Sequence, residues 1–254
     1  MALGYLALVL HAHLPFVRHP ESDFVLEEEW LFEAITDTYV PLLQVFESLK
    51  REGVYLKMTM SMTPPLVSML QDELLQDRYD DHLAQLQELI TKEIDRHQHN
   101  GHMSYLAEYY AKSFKQIRQT WESYDRDLVL AFKQFLDSGN LDIITCGATH
   151  GYLPLMKMYP QAVWSQIKVA CEHYEESFGR PPKGIWLPEC AYYEGLERML
   201  ADAGVRYFLT DGHGSLNARP RPRHGSYAPR YTESGVAAFG RDHDSSQQVW
   251  SSKV

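Results

Sequence analysis

Cysteine is scarce in this chain: Cys146, Cys171 and Cys190 are the only three in 254 residues. Three thiols cannot all pair, and none stands in a C-x-x-C spacing. A disulfide framework is therefore not expected; reduced thiols in a reducing, cytoplasmic compartment are. A basic excess is also missing, with 24 Lys and Arg against 34 Asp and Glu and a formal net charge of -10. Nucleic-acid binders carry basic patches, so nucleic acid is not an expected partner. A neutral substrate such as a sugar is compatible with this charge but not demanded by it. Long apolar runs are missing too. The run Leu3 to Leu10 is too short to span a bilayer, and the first Lys or Arg is Arg18. It reads as a buried strand rather than a signal peptide or membrane span.

What is present is an ordinary globular composition, 44% hydrophobic and 23% charged. The length suits one large domain or two small ones. Along the chain, short apolar strands alternate with helical text. Strands are expected at Tyr5–Leu10, Leu56–Met60, Leu141–Thr145, Gly184–Leu187 and Arg206–Leu209. Helices are expected at Glu27–Arg51 (closed by Gly53), from Pro160 onward, and at Glu194–Ala203. Phe114, Ile117, Trp121, Tyr124, Leu128, Phe132 and Phe135 form one apolar stripe at helical spacing, which reads as core. The alternation predicts an α/β fold with a parallel sheet, and a barrel more than a doubly wound sheet. The stretch from Met62 to Leu141 is too long for a simple crossover and is expected to be a helical insertion between strands 2 and 3. Ala218–Gly225, rich in Pro and Arg, reads as an extended solvated loop.

The reactive residue types follow the strands. His11 and His13 come after the first, Ser61–Pro65 after the second, Gly147–Gly151 with His150 after the third. Pro188-Glu189-Cys190 comes after the fourth and Asp211-Gly212-His213 after the fifth. In a β/α barrel these strand ends open on one face, so the side chains are expected to share a pocket. Each residue alone has an ordinary structural reading: a hydrogen-bonded His, or an Asp that shapes a turn. Glu189 differs, because a carboxylate so close to an apolar strand is costly unless it is paired or functional.

Two chemistries fit these types. In retaining glycosyl transfer, Glu189 is the nucleophile and the histidines and Asp211 hold sugar hydroxyls. Trp30, Trp186 and Trp250 are then candidates to stack on sugar rings, with core packing favoured for Trp186. In metal-assisted hydrolysis, His11 and His13 grip a divalent ion with His150, His213 or Asp211. Spacing alone does not separate the two.

Longer motifs do. His11-Ala12-His13-Leu14-Pro15-Phe16, Cys146 to Tyr152, and Trp186-Leu187-Pro188-Glu189-Cys190-Ala191-Tyr192 resemble motifs of glycoside hydrolase family 57. Phe208 to Gly214, Phe239-Gly240-Arg241-Asp242 and Gln248 to Ser251 resemble its branching members. The resemblance spans essentially the whole chain. It implies an incomplete (β/α)7 barrel, and a retaining mechanism with no metal or cofactor and with Glu189 as nucleophile. It also implies cleavage of an α-1,4 bond in an α-glucan such as amylose or glycogen, with transfer to a 6-hydroxyl. Amylase and 4-α-glucanotransferase activities belong to the same family. His11, His13, Trp30, His150, Asp211, His213, Arg241, Asp242 and Trp250 are the implied substrate-binding residues.

The family's general acid lies beyond the equivalent of Val254, and neither Asp242 nor Asp244 matches it. Residues 1–254 thus read as the N-terminal part of a catalytic barrel without the C-terminal helical domain, and as unable to turn over glucan alone. An incomplete barrel leaves an open sheet edge and the oligomeric state undetermined.

Overall fold

A computed structural model describes residues 4–22 and 24–250, the Trp250 side chain excepted. The chain divides into two compact units: Met1–His13 with Met58–Pro65 and Asp142–Val254, and Leu14–Lys57 with Leu66–Leu141.

The first unit holds the strands β1 (Val9–Ala12), β2 (Met58–Met62), β3 (Leu141–Ile144), β4 (Gly184–Trp186), β5 (Tyr207–Thr210), β6 (Arg230–Tyr231) and β7 (Ala237–Gly240). They lie in two sheets, ordered β1-β2-β3 and β4-β5-β7-β6. Pairs β1/β2, β4/β5 and β5/β7 are parallel, and β6 joins β7 antiparallel. A parallel bridge between Thr145 and Ile185 links the sheets through Thr145 N to Gly184 O and Trp186 N to Thr145 O. The fold is thus α/β with parallel pairing, as expected. Among the described residues the strands do not close into a barrel.

The helices Pro160–Phe178 and Leu196–Asp202 cover these strands. Val163, Ile167, Leu196 and Leu200 pack with Ile185, Leu187 and Phe208 in one buried cluster. Pro160 starts the first of these helices, where its missing N–H costs nothing, and Gly179 ends it at φ 74°. Gly184 is a packing requirement, because a Cβ there would enter the Tyr207 ring, whose hydroxyl donates to Asp142 at 2.6 Å. Gly184→Ala is accordingly expected to cost about 1–3 kcal/mol through overpacking. Chemical denaturation measures it; a loss below about 0.5 kcal/mol would show that Tyr207 yields freely.

Two strands begin later than periodicity suggests. Tyr5 and Leu6 are almost fully exposed, and pairing starts only where Val9 meets Thr59. Apolar sequence reports what can be buried; a strand also needs a partner edge. β6 and β7 were not expected, being short and flanked by turn residues.

The second unit is helical: Leu26–Ala34, a π-turn Ile35–Tyr39, Val40–Arg51, Glu73–Arg96, Gly101–Ser123 and Leu128–Asp137. Gly53, at φ 71°, closes the first long stretch through Val54 N to Leu49 O, as expected. This unit draws on both the β1–β2 and the β2–β3 connections, so it is not an insertion at one point. The stripe Phe114–Phe135 also spans two helices rather than one. Asp125 and Arg126 take positive φ, and the Asp127 carboxylate caps a new helix by accepting from Leu130 N at 2.8 Å. Its core reading holds for Ile117, Trp121, Leu128, Phe132 and Phe135, all buried.

Candidate active site

Parallel pairing brings the C-terminal strand ends to one edge. His11 lies inside β1, opposite Ser61, and its Nδ1 shares a 2.8 Å hydrogen bond with Ser61 Oγ. Two residues on, His13 faces the same side, as strand alternation requires, and its Nδ1 shares a 3.1 Å bond with Thr63 Oγ1. His150 takes a left-handed backbone, φ 56°. Its loop is pinned by Gln166, which accepts from Thr149 N at 3.0 Å and donates to Thr149 Oγ1 at 2.7 Å. His150 Nδ1 lies 3.2 Å from Cys146 Sγ.

The rings stack. His13 and His150 centroids are 3.7 Å apart, His11 and His150 5.4 Å, and His11 and Trp186 4.5 Å. Trp186 is buried, as its place in a strand suggests, and it serves as the floor beneath His11.

Glu189 follows β4 on a tight turn, with φ 55° and ψ 23°. Non-glycine residues avoid this region, and such strain clusters at functional sites. Its side chain is 70% exposed, and Oε1 lies 3.5 Å from His150 Nε2. The desolvation argument from sequence therefore fails: the turn lifts the carboxylate off the apolar strand into solvent. The better signal is the strained backbone, which a sequence does not display.

Asp211 follows β5. It accepts from His213 N at 3.3 Å, so it shapes the turn as well as pairing with Arg241 at 3.2 Å and His213 at 3.1 Å. Burial pushes its carboxyl upward, but the His213 hydrogen bonds and the Arg241 charge outweigh this and leave it lowered. Asp211 N donates to Cys190 O at 3.1 Å and Arg241 N to Thr210 O at 2.9 Å, which sets the β5 and β7 ends beside the Glu189 turn. His213 is largely exposed.

Asp242 accepts from Ser245 N at 3.0 Å and so caps the helix His243–Trp250. The Trp250 side chain lies outside the described residues. Trp30 sits on Leu26–Ala34 in the helical unit, 47% exposed. Sequence reasoning gave Ser61 no role and did not single out Thr63, Cys146 or Gln166. The signal for the first two was register, since residues at alternate positions of adjacent strands face each other.

Burial pushes His11 down to about 3 and His13 to about 4, with neighbouring imidazoles adding to the shift. Burial lowers His150 as well, against an upward pull from Glu189. The stack is therefore neutral at pH 7. The unfolded chain takes up these protons near 6.5 and the folded chain does not, so stability is present above 6.5 and lost as pH falls toward 4. The melting temperature should drop over that window, and His11→Gln should make the drop shallower. An unchanged slope would sink this account.

Stacked rings point their in-plane lone pairs alongside one another rather than at one point, and each Nδ1 is already engaged. Among the described residues, no three His, Cys, Asp or Glu side chains are grouped to hold a metal ion. The donor set does not fit the metal-assisted reading.

The described helices include none long and apolar enough to cross a membrane. The chain is 32% identical, over 98% of its length, to a 1,4-alpha-glucan branching enzyme of Thermococcus kodakarensis, 40% of which it covers. The alpha-amylase AmyC structure from Thermotoga maritima superposes at TM-score 0.94 with 46% identity, covering 98% of this chain and 47% of that one. The GH57-type branching enzyme structure from Pyrococcus horikoshii gives 0.89 and 32%, covering 97% and 48%. The chain thus spans about half the length of these relatives. The sequence profile of glycosyl hydrolase family 57 matches residues 7–250. A strained carboxylate turn beside stacked histidines, on the C-terminal edge of parallel strands, is how this chain builds the fold of its family: it belongs to glycosyl hydrolase family 57.

Proposed function

We propose that this chain forms the nucleophile-bearing part of an enzyme that cleaves α-1,4-glucan with retention and transfers the freed chain to a 6-hydroxyl, creating branches. The observation that carries this reading is Glu189: a solvent-facing carboxylate on a strained turn, 3.5 Å from a neutral imidazole. A Glu189 oxygen attacks C1 of a glucosyl unit. The C1–O4 bond breaks, a general acid protonates the leaving oxygen, and a covalent glycosyl-enzyme remains for the acceptor hydroxyl to resolve. His11, His13 and His150, held neutral, offer hydrogen bonds to sugar hydroxyls, with Asp211, His213 and Arg241 beside them. Asp242 is a further substrate contact under this reading. The proton for the leaving oxygen has to come from a general acid, a role that none of these residues fills.

An activated substrate removes that obstacle, because fluoride leaves C1 without a proton. A 5-fluoroglucosyl fluoride should therefore form a stable ester on Glu189, located by mass spectrometry of the digested chain. Label on another carboxylate, or equal label in Glu189→Gln, would overturn the assignment. Hydrolysis in place of transfer is the second reading, favoured by the 46% identity to a chain described as an alpha-amylase. In the chain joined to a relative's C-terminal half, new α-1,6 linkages in amylose support branching. New reducing ends without them support hydrolysis.

A further inference from the structure

The three imidazoles share a pattern of tethering that cleavage chemistry does not itself require. Each Nδ1 is held by a hydroxyl or a thiol: Ser61 for His11, Thr63 for His13 and Cys146 for His150. Cys146 is the unusual tether. It is fully buried among Ile144, Trp186, Cys190 and Leu209, and burial drives its thiol far above the ordinary range, so it keeps its proton. It is neither exposed enough nor acidic enough to act as a nucleophile.

A neutral imidazole carries one N–H and one lone pair, and its partners decide which nitrogen holds the proton. His150 has two candidate arrangements. With the proton on Nδ1, the Nε2 lone pair would face Glu189 Oε1 across 3.5 Å, acceptor against acceptor. With the thiol proton of Cys146 donated to Nδ1, 3.2 Å away, Nε2 carries the imidazole proton and directs it at the carboxylate. The second arrangement alone makes both contacts attractive. The His13 and His11 rings stacked on His150 are neutral and meet it face-on, so they do not compete for its nitrogens.

We infer that Cys146 is a positioning residue: its S–H donates to His150 Nδ1, locks His150 in the Nε2–H tautomer, and so makes it a hydrogen-bond donor toward Glu189. The catalytic meaning of this rests on Glu189 being the reacting carboxylate; the tautomer does not. When Glu189 is ionised, the Nε2–H steadies its charge and aims its Oε1. When Glu189 becomes an ester, the same N–H is released to a neighbouring sugar oxygen.

The test is long-range 1H–15N correlation spectroscopy of this chain labelled with 15N-histidine at neutral pH, with His150 assigned by its loss in His150→Gln. His150 should show the Nε2–H pattern in the unsubstituted chain and in Cys146→Ser, which keeps a donor. It should shift toward a mixture of tautomers in both Cys146→Ala and Cys146→Val. The valine variant fills the space and so separates donor loss from cavity formation. An Nδ1–H pattern in the unsubstituted chain, or an unaltered Nε2–H pattern in both apolar variants, overturns the inference. Capture of the fluoroglucosyl donor should slow about tenfold in the apolar variants and recover in Cys146→Ser. The spectra need neither glucan nor turnover, so failure of Glu189 to be labelled and failure of the tautomer lock are separate results.

Discussion

Glu189→Gln is expected to slow capture of an activated glucosyl fluoride by ~10,000-fold or more, equivalent to about 5 kcal/mol of transition-state stabilisation. The substitution keeps side-chain length and adds no demand on the backbone, since Glu189 already occupies φ 55°. What changes is the nucleophile. A carboxylate oxygen carries the charge that C1 accepts as fluoride departs; a carboxamide offers a neutral, far weaker oxygen. Folding should be undisturbed, because the side chain is 70% exposed and its near contact is His150. The measurement is the rate of ester formation by mass spectrometry, with Glu172→Gln as a control. Glu172 lies on an outer helix in an exposed pair with Lys168, so its variant should label Glu189 at the unsubstituted rate. A decrease below tenfold in Glu189→Gln would remove this residue from the nucleophile's role.

Arg78→Leu should destabilise the helical unit by about 3–5 kcal/mol. Arg78 Nη1 lies 2.7 Å from both Glu28 oxygens and donates to His19 O, and Nη2 donates to Ser22 O. Glu28, 2% exposed, also accepts from His19 N at 2.9 Å. One guanidinium thus neutralises a buried carboxylate and satisfies two carbonyls in a stretch without regular secondary structure. Leucine fills part of the volume but leaves the carboxylate buried and uncompensated. In a unit of this size that loss lowers the melting temperature by roughly 10 °C or more. A deficit below about 1 kcal/mol would show that water already reaches Glu28.

Much of this was legible in sequence, for identifiable reasons. Pro160 and Gly53 mark helix ends through their own backbone chemistry, so those boundaries needed no tertiary context. The strand-end clusters around His11, His150, Glu189 and Asp211 were visible because reactive side chains interrupt apolar runs. The stripe from Phe114 to Phe135 was misread as one helix. Its spacing runs on through the break at Asp125–Arg126, where two positive-φ residues end one helix and the Asp127 cap starts the next.

By itself, then, the sequence determined which segments are apolar enough to pack, where helices must stop, and which chemical groups stand at the strand ends. These are local properties, carried by each residue and its near neighbours. Tertiary structure alone decided that the helical unit draws on two connections and that β7 joins β5. It alone decided that Ser61, Thr63 and Cys146 hold three histidines in a neutral stack, and that Glu189 stands in solvent on a left-handed turn. Those features depend on pairing between residues distant in sequence and on the burial that follows, and no window of sequence contains either.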